Sequence, residues 1–191
     1  MAGKAEDSDG EQGSRWRTAA WAAAGLLLLV PLVAMQFTDE VNWTVGDFVV
    51  FGVLLFGPLG AYELAAIMTG NTAYRAGVGV AIVAAFLLVW INGAVGITDS
   101  DADFALFWVP TVGIIGAIIA RFRPRGMVRA MFATALALTL VSAIALIAGI
   151  VPANNSALEI LGITGFFVAL FVGSALLFRE AVRSRGERGA A

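Results

Sequence analysis

Residues 98–129 read TDSDADFALFWVPTVGIIGAIIARFRPRGMVR, an apolar segment with an acidic stretch before it and a basic stretch after it. The apolar part, 104–121, can cross about 30 Å of hydrocarbon as a helix, which rises ~1.5 Å per residue. Short loops rich in Lys and Arg stay on the cytoplasmic side of a membrane. This stretch therefore predicts a transmembrane helix whose C-terminal end lies inside the cell.

The same alternation extends along the whole chain. All twelve Lys and Arg residues lie in alternate gaps between apolar segments, which by the positive-inside rule places both termini in the cytoplasm. The expected fold class is an all-α membrane protein of the inner (plasma) membrane, folded as a six-transmembrane-helix bundle. The six predicted spans are 18–36, 48–68, 76–97, 104–121, 130–151 and 157–178.

Three regions follow from this pattern. Residues 1–14 are small, polar and charged, and such segments bury too little apolar surface to offset the entropy of ordering, so a disordered cytoplasmic tail is expected. Residues 15–178 form the transmembrane domain, and 179–191 form a basic cytoplasmic tail. The alternative is that 15–36 is a cleaved signal peptide, which leaves five spans and an outer N-terminus. The length of the apolar run and Pro31 within it favour the first interpretation.

Two segments of the chain share a set of landmarks. Asp47 is followed ten residues later by Gly-x-x-Gly-Ala at 57–61, and Asp103 by the same motif at 113–117. The match predicts a tandem repeat, in which helices 2 and 3 are duplicated as helices 4 and 5. The alternative is chance recurrence of small and apolar residues, which are common in membrane helices.

The small residues of these motifs are candidate helix contacts, because glycine lets another backbone approach closely. Pro58 removes an intrahelical hydrogen bond, so a kink is expected in helix 2. The candidate packing positions are Gly57, Pro58, Gly60, Ala61, Gly113 and Gly116.

Glu63 stands alone as an acidic residue well inside a predicted span. An ionised carboxylate there costs several kcal/mol, so it must be protonated, paired or facing water. We expect pairing with Arg75 or another arginine at the inner edge, and a proton or cation site is the alternative. Asn92 is expected to form an interhelical hydrogen bond, and with Glu63 and Arg75 it completes the candidate intramembrane polar site. The inner loop offers candidate contacts to anionic lipid, each worth about 1 kcal/mol, at Arg121, Arg123, Arg125 and Arg129.

Composition excludes several classes of function. The chain has no Cys and no His, and its single lysine, Lys4, lies outside the predicted helices, which excludes a retinal Schiff base. Neither Ser142 nor Ser174 has a base beside it in sequence, and the chain contains no P-loop or dinucleotide motif. The net charge of −2 gives no basic nucleic-acid footprint. We therefore predict no enzyme activity, no cofactor, no metal site and no nucleic-acid partner.

Three stretches, MQFTDEVNWTVGDF at 35–48, FLLVWINGAVGI at 86–97 and ARFRPRGMVRAMFATALA at 120–137, together resemble a family of small bacterial multi-pass inner-membrane proteins without an assigned activity. The resemblance implies a prokaryotic inner-membrane setting and no mechanism.

Two functions fit these observations. The first is a non-catalytic structural or accessory subunit that packs with itself or within a larger membrane complex, in contact with membrane lipids. The second is a small transporter or channel for protons or cations that uses Glu63 and the kinked helix 2. The first is favoured because ion pathways generally carry several polar groups.

Overall fold

The computed structural model describes residues 3–95, 102–149 and 156–190, with side chains described over 15–91, 108–149 and 156–187. Within these residues the structure consists of six α-helices and contains no strand. The helices are α1 (Gly3–Ala34), α2 (Val45–Met68), α3 (Thr72–Val95), α4 (Ala102–Ile119), α5 (Pro124–Ile147) and α6 (Ala157–Ala190).

The predicted all-α membrane class is confirmed by these helices. Five of them contain a segment that is long and apolar enough to cross a membrane. In α4 the side chains are described only from Trp108 onward, and the described segment, Trp108–Ile119, is apolar but too short by itself to be counted with these five. The protein is therefore a multi-pass integral membrane protein, and the crossing by α4 stays a prediction.

The helices are longer at both ends of the chain than the sequence predicts. The structure begins α1 at Gly3, within the segment 1–14 that is expected to be a disordered tail, and the expected tail stays a prediction. The basic segment 179–191 continues α6 as far as Ala190. Extending an existing helix costs no new nucleation, so a polar segment joined to a membrane helix can continue it where the same segment alone would not fold.

Side-chain caps define where three helices begin. Before α2, the Thr44 backbone N–H donates to Asp47 Oδ2 at 2.7 Å, and the Asp47 N–H donates to Thr44 Oγ1 at 3.4 Å. Ser156 and Glu159 make the same reciprocal pair before α6, at 3.0 and 3.2 Å. Asn71 caps α3 by accepting the Tyr74 N–H at 2.9 Å. These bonds satisfy backbone donors that the first helical turn leaves free.

The chain divides into two compact units, Met1–Leu64 and Ala65–Ala191. In the second unit α5 packs on both α4 and α6, α6 packs on α3, and α3 closes the ring against α4. The four helices enclose large, fully buried side chains, which include Phe167, Phe171 and Phe178. This unit is a four-helix bundle.

Two helix serines of the second unit hold its helices together. Ser174 Oγ on α6 donates to the Gly77 carbonyl of α3 at 2.8 Å, and Thr164 Oγ1 donates to Ser142 Oγ of α5 at 2.8 Å. Hydrogen bonds between helices contribute about 1 kcal/mol each in membranes, where apolar surfaces alone do not drive helices together. Both serines thus have a structural partner.

The first unit contains α1 and most of α2. Trp21 of α1 stacks on Phe56 of α2 with ring centroids 5.7 Å apart, and Trp43 packs edge-on against Phe48 and Phe51. Most of the other apolar side chains of this unit are exposed. Its two helices therefore meet through a few long side chains.

Candidate functional site

Glu63 forms the strongest polar contact of the first unit. Arg17 Nε donates to Glu63 Oε1 at 2.6 Å, and Arg17 Nη2 donates to Glu63 Oε2. Trp21, one helical turn after Arg17, donates its indole N–H to Glu63 Oε1 at 3.4 Å. The Glu63 side chain is only 18% exposed, whereas that of Arg17 is 61% exposed. The carboxylate therefore has donors on both oxygens and a neutralising charge.

The partner of Glu63 is an arginine of the kind that the sequence predicts, from the inner edge of a span. It is Arg17, and the other arginine considered, Arg75, belongs to the second unit. The sequence signal for this choice is the spacing of Arg17 and Trp21, which places a cation and an indole donor on one face of α1. Two parallel N–H donors from one guanidinium hold a carboxylate in a defined orientation.

A second polar cluster, which the sequence analysis missed, lies at the start of α3. Tyr74 donates its hydroxyl to the Phe122 carbonyl at 2.6 Å and packs edge-on against the Phe178 ring, with centroids 5.0 Å apart. Asn71 Nδ2 donates to Ser184 Oγ at 2.8 Å. These contacts join the start of α3, the α4–α5 loop and the C-terminal part of α6. A Tyr next to an inner-edge arginine is a weak signal, because aromatic residues are common at every membrane interface.

Arg75 follows Tyr74 directly and differs from the other arginines. Its Nε is buried and has no hydrogen-bond acceptor among the described residues. By contrast, the four arginines of the α4–α5 loop region, Arg121, Arg123, Arg125 and Arg129, are exposed. The loop arginines are free to contact lipid headgroups, whereas Arg75 has a donor enclosed by protein.

The glycine motifs of α2 and α4 have different surroundings. A Cβ built on Gly116 would lie 2.8 Å from Ala130 Cβ of α5, and one built on Gly113 would lie 3.0 Å from Thr134 Oγ1. Neither Gly57 nor Gly60 has any such atom within 4 Å. The expected close contact is thus present within the chain for α4 and absent within the described chain for α2.

The remaining candidate positions are Pro58, Ala61 and Asn92. Ala61 is exposed and Pro58 is partly buried, and α2 runs through Pro58 as one continuous helix. Asn92 lies on α3, but its side chain is outside the part of the structure that is described. In the described part of the chain, no three Asp or Glu side chains come together as a metal site requires.

Comparisons with protein-family models, with curated proteins and with solved structures find no match. The predicted relation to a bacterial inner-membrane family therefore stays a prediction.

Proposed function

We propose that this protein is a non-catalytic structural or accessory subunit of the inner membrane, with both termini cytoplasmic. Its second helix packs against another membrane helix, either from a second copy or from a larger complex. The observation that carries this proposal is the open face of α2, where small residues leave the backbone accessible.

That face has the geometry of a helix seam. Val49, Val53, Gly57, Gly60 and Leu64 follow one another at spacings of four, four, three and four, which places them on one side of α2. The three large side chains, Val49, Val53 and Leu64, are 59%, 66% and 51% exposed. We call these five residues the α2 seam. Two glycines in its middle allow close approach of a second helix, where dispersion and weak hydrogen bonds add up.

The second unit supports this interpretation, because it shows how this chain packs the same motif. In α4, Gly113 and Gly116 receive Thr134 and Ala130 of α5. The corresponding glycines of α2 receive no side chain from the described part of the chain. A helix from outside the chain would fill the α2 seam in the same manner.

The contacts of Glu63 favour packing over transport. A transported proton or cation needs a carboxylate that is free to bind it, and Glu63 already accepts two hydrogen bonds from Arg17 and one from Trp21. Among the side chains of α1 and α2 that the structure describes, no second acidic residue lies beside Glu63 to continue a relay.

Substitution in the α2 seam tests the proposal. Gly60→Leu should lower the fraction of the protein found in oligomers or in a complex of fixed stoichiometry by about fivefold, equivalent to ~1 kcal/mol of lost packing. The measurement is native mass spectrometry of the full chain from mild detergent. Gly52→Leu is the matched control, because Gly52 is also open but lies on a different side of α2.

Two results would contradict the proposal. One is a wild-type protein that is monomeric and without a stoichiometric partner, or association that Gly60→Leu leaves unchanged. The other is a proton or cation flux in reconstituted vesicles that Glu63→Gln abolishes while the protein stays folded, which would favour a transporter.

A further inference from the structure

Positive charge is concentrated at one end of the second unit. This end, which we call the basic end, consists of residues 71–75, 117–129 and 178–187. Its described side chains include eight arginines and two glutamates. The contacts of Tyr74 with Phe122 and Phe178 hold the three segments together. The positive-inside rule accounts for this excess of charge but requires no buried donor.

Arg75 supplies such a donor. Its Nε is buried without an acceptor in the described structure. Leaving a buried N–H unpaired costs about 1–3 kcal/mol, and more when the group is charged. A native protein rarely accepts that cost without a partner, so the missing acceptor is informative.

Three acceptors of the basic end already have partners within the chain. Asn71 Oδ1 accepts the Tyr74 backbone N–H, and the Phe122 carbonyl accepts the Tyr74 hydroxyl. Glu180 pairs with Arg183 at 3.4 Å. The acceptor for Arg75 is therefore expected to come from outside the chain.

The position of Arg75 indicates the chemistry of this acceptor. Arg75 lies one helical turn beyond Asn71, which contacts Ser184 of α6, and Arg185 lies within electrostatic range of the Tyr74 phenol. An oxyanion near Arg75 would thus meet charge from two helices. Phosphate oxygens suit a guanidinium because two of its parallel N–H groups can donate to one phosphate group.

We propose that the basic end binds the phosphate of an anionic phospholipid headgroup, with Arg75 as the enclosed donor. Arg75 lies in the first turn of a membrane-spanning helix, where headgroup phosphates are found, which favours a lipid over a free ion as the source of the phosphate. The site belongs to the second unit and does not depend on the proposed role of the α2 seam.

The first test uses the full chain in mild detergent with equal amounts of phosphatidylglycerol and phosphatidylcholine. Native mass spectrometry should show that the wild type retains phosphatidylglycerol in preference, and that Arg75→Gln lowers this preference about tenfold, equivalent to ~1.4 kcal/mol. Arg179→Gln is the matched control, since it removes the same charge from an exposed side chain of the basic end that is not among the candidate lipid contacts. It should change the preference by less than about twofold, because exposed charges are screened.

Equal effects of Arg75→Gln and Arg179→Gln would overturn the proposal, because they would indicate general attraction alone. A wild type that shows no preference for phosphatidylglycerol would also overturn the proposal. This result does not depend on whether any variant folds. Arg75→Lys keeps the charge but lacks the Nε donor, and should also lose the preference.

Thermal unfolding distinguishes the two sources of phosphate. Phosphatidylglycerol should raise the Tm of the wild type and of Arg179→Gln but not that of Arg75→Gln. Inorganic phosphate should have no such effect. A rise in Tm with inorganic phosphate that equals the rise with the lipid would overturn the lipid headgroup as the source. Association through the α2 seam is measured separately, so failure of either proposal leaves the other standing.

Discussion

At the scale of single residues, the α4–α5 loop has the least usual backbone. Arg121 and Phe122 have φ angles of 49° and 55°, in the left-handed region that glycine normally occupies. The Phe122 N–H donates to the Ala117 carbonyl at 3.1 Å and the Arg121 N–H to the Ile118 carbonyl at 2.9 Å, which is a Schellman motif with arginine at the glycine position. Such residues cost about 1–3 kcal/mol each, so the surrounding contacts must hold them in place.

Tyr74 provides one of these contacts, and its hydroxyl can be removed alone. Tyr74→Phe keeps the ring against Phe178 and deletes the hydrogen bond to the Phe122 carbonyl. We expect a loss of stability of about 1 kcal/mol, measured by thermal or denaturant unfolding in mild detergent. Tyr62→Phe is the control, because Tyr62 is exposed, and it should change stability little. Equal stability of Tyr74→Phe and the wild type would show that the loop is held by other contacts.

At the scale of helices, the Gly-x-x-Gly-Ala motif has different surroundings on α2 and on α4. On α4 the glycines are points of contact with α5, and on α2 they form an open surface. The difference arises from the neighbours and not from the motif, since both have glycines three residues apart followed by alanine. The two copies of the predicted tandem repeat therefore do not pack in the same way, although their helices lie where the sequence predicts them.

A pair of identical substitutions tests this difference. Gly116→Ala should destabilise the second unit by about 1–3 kcal/mol, because the new Cβ would lie 2.8 Å from Ala130 Cβ and 3.2 Å from its Cα. Gly60→Ala meets no atom within 4 Å, so it should leave stability unchanged or raise it by up to about 1 kcal/mol through better helix propensity. Unfolding of both variants as monomers in detergent shows whether each substitution lowers or raises the free energy of unfolding. Equal destabilisation would mean that α2 is packed as tightly as α4.

At the scale of the whole molecule, sidedness depends on whether α4 crosses the membrane. With 18 residues, α4 is the shortest of the six helices, so the placement of the loops on either side of it is the sensitive measurement. From the basic residues, the positive-inside rule predicts that the α4–α5 loop lies inside and the acidic loop before α4 outside.

Cysteine labelling tests this crossing without interference, because the chain has no cysteine of its own. Ser100→Cys should react with a membrane-impermeant reagent from outside, and Arg125→Cys only after the membrane is opened. Arg125 is exposed and suits this purpose, whereas Gly126 does not, because a Cβ there would collide with Ala120. Labelling of both positions from the same side would show that α4 does not span.

The sequence alone determined the number and position of the helices. Apolar length, basic gaps and capping residues such as Thr44 and Ser156 act within a few neighbouring residues, so they can be recognised without knowing the fold. The start of α1 at Gly3 cannot be recognised in this way, because whether a polar segment continues a helix depends on the helix to which it is joined.

Only the tertiary structure decided which residues meet. The partner of Glu63 is 46 positions away at Arg17, and the spacing of Arg17 and Trp21 is too weak a sequence signal to choose that arginine over Arg75. The same holds for the buried Nε of Arg75 and for the filled and open glycines of α4 and α2. Such contacts depend on the approach of helices distant in sequence, and dispersion between small and apolar surfaces, which drives that approach, leaves no pattern in any single segment.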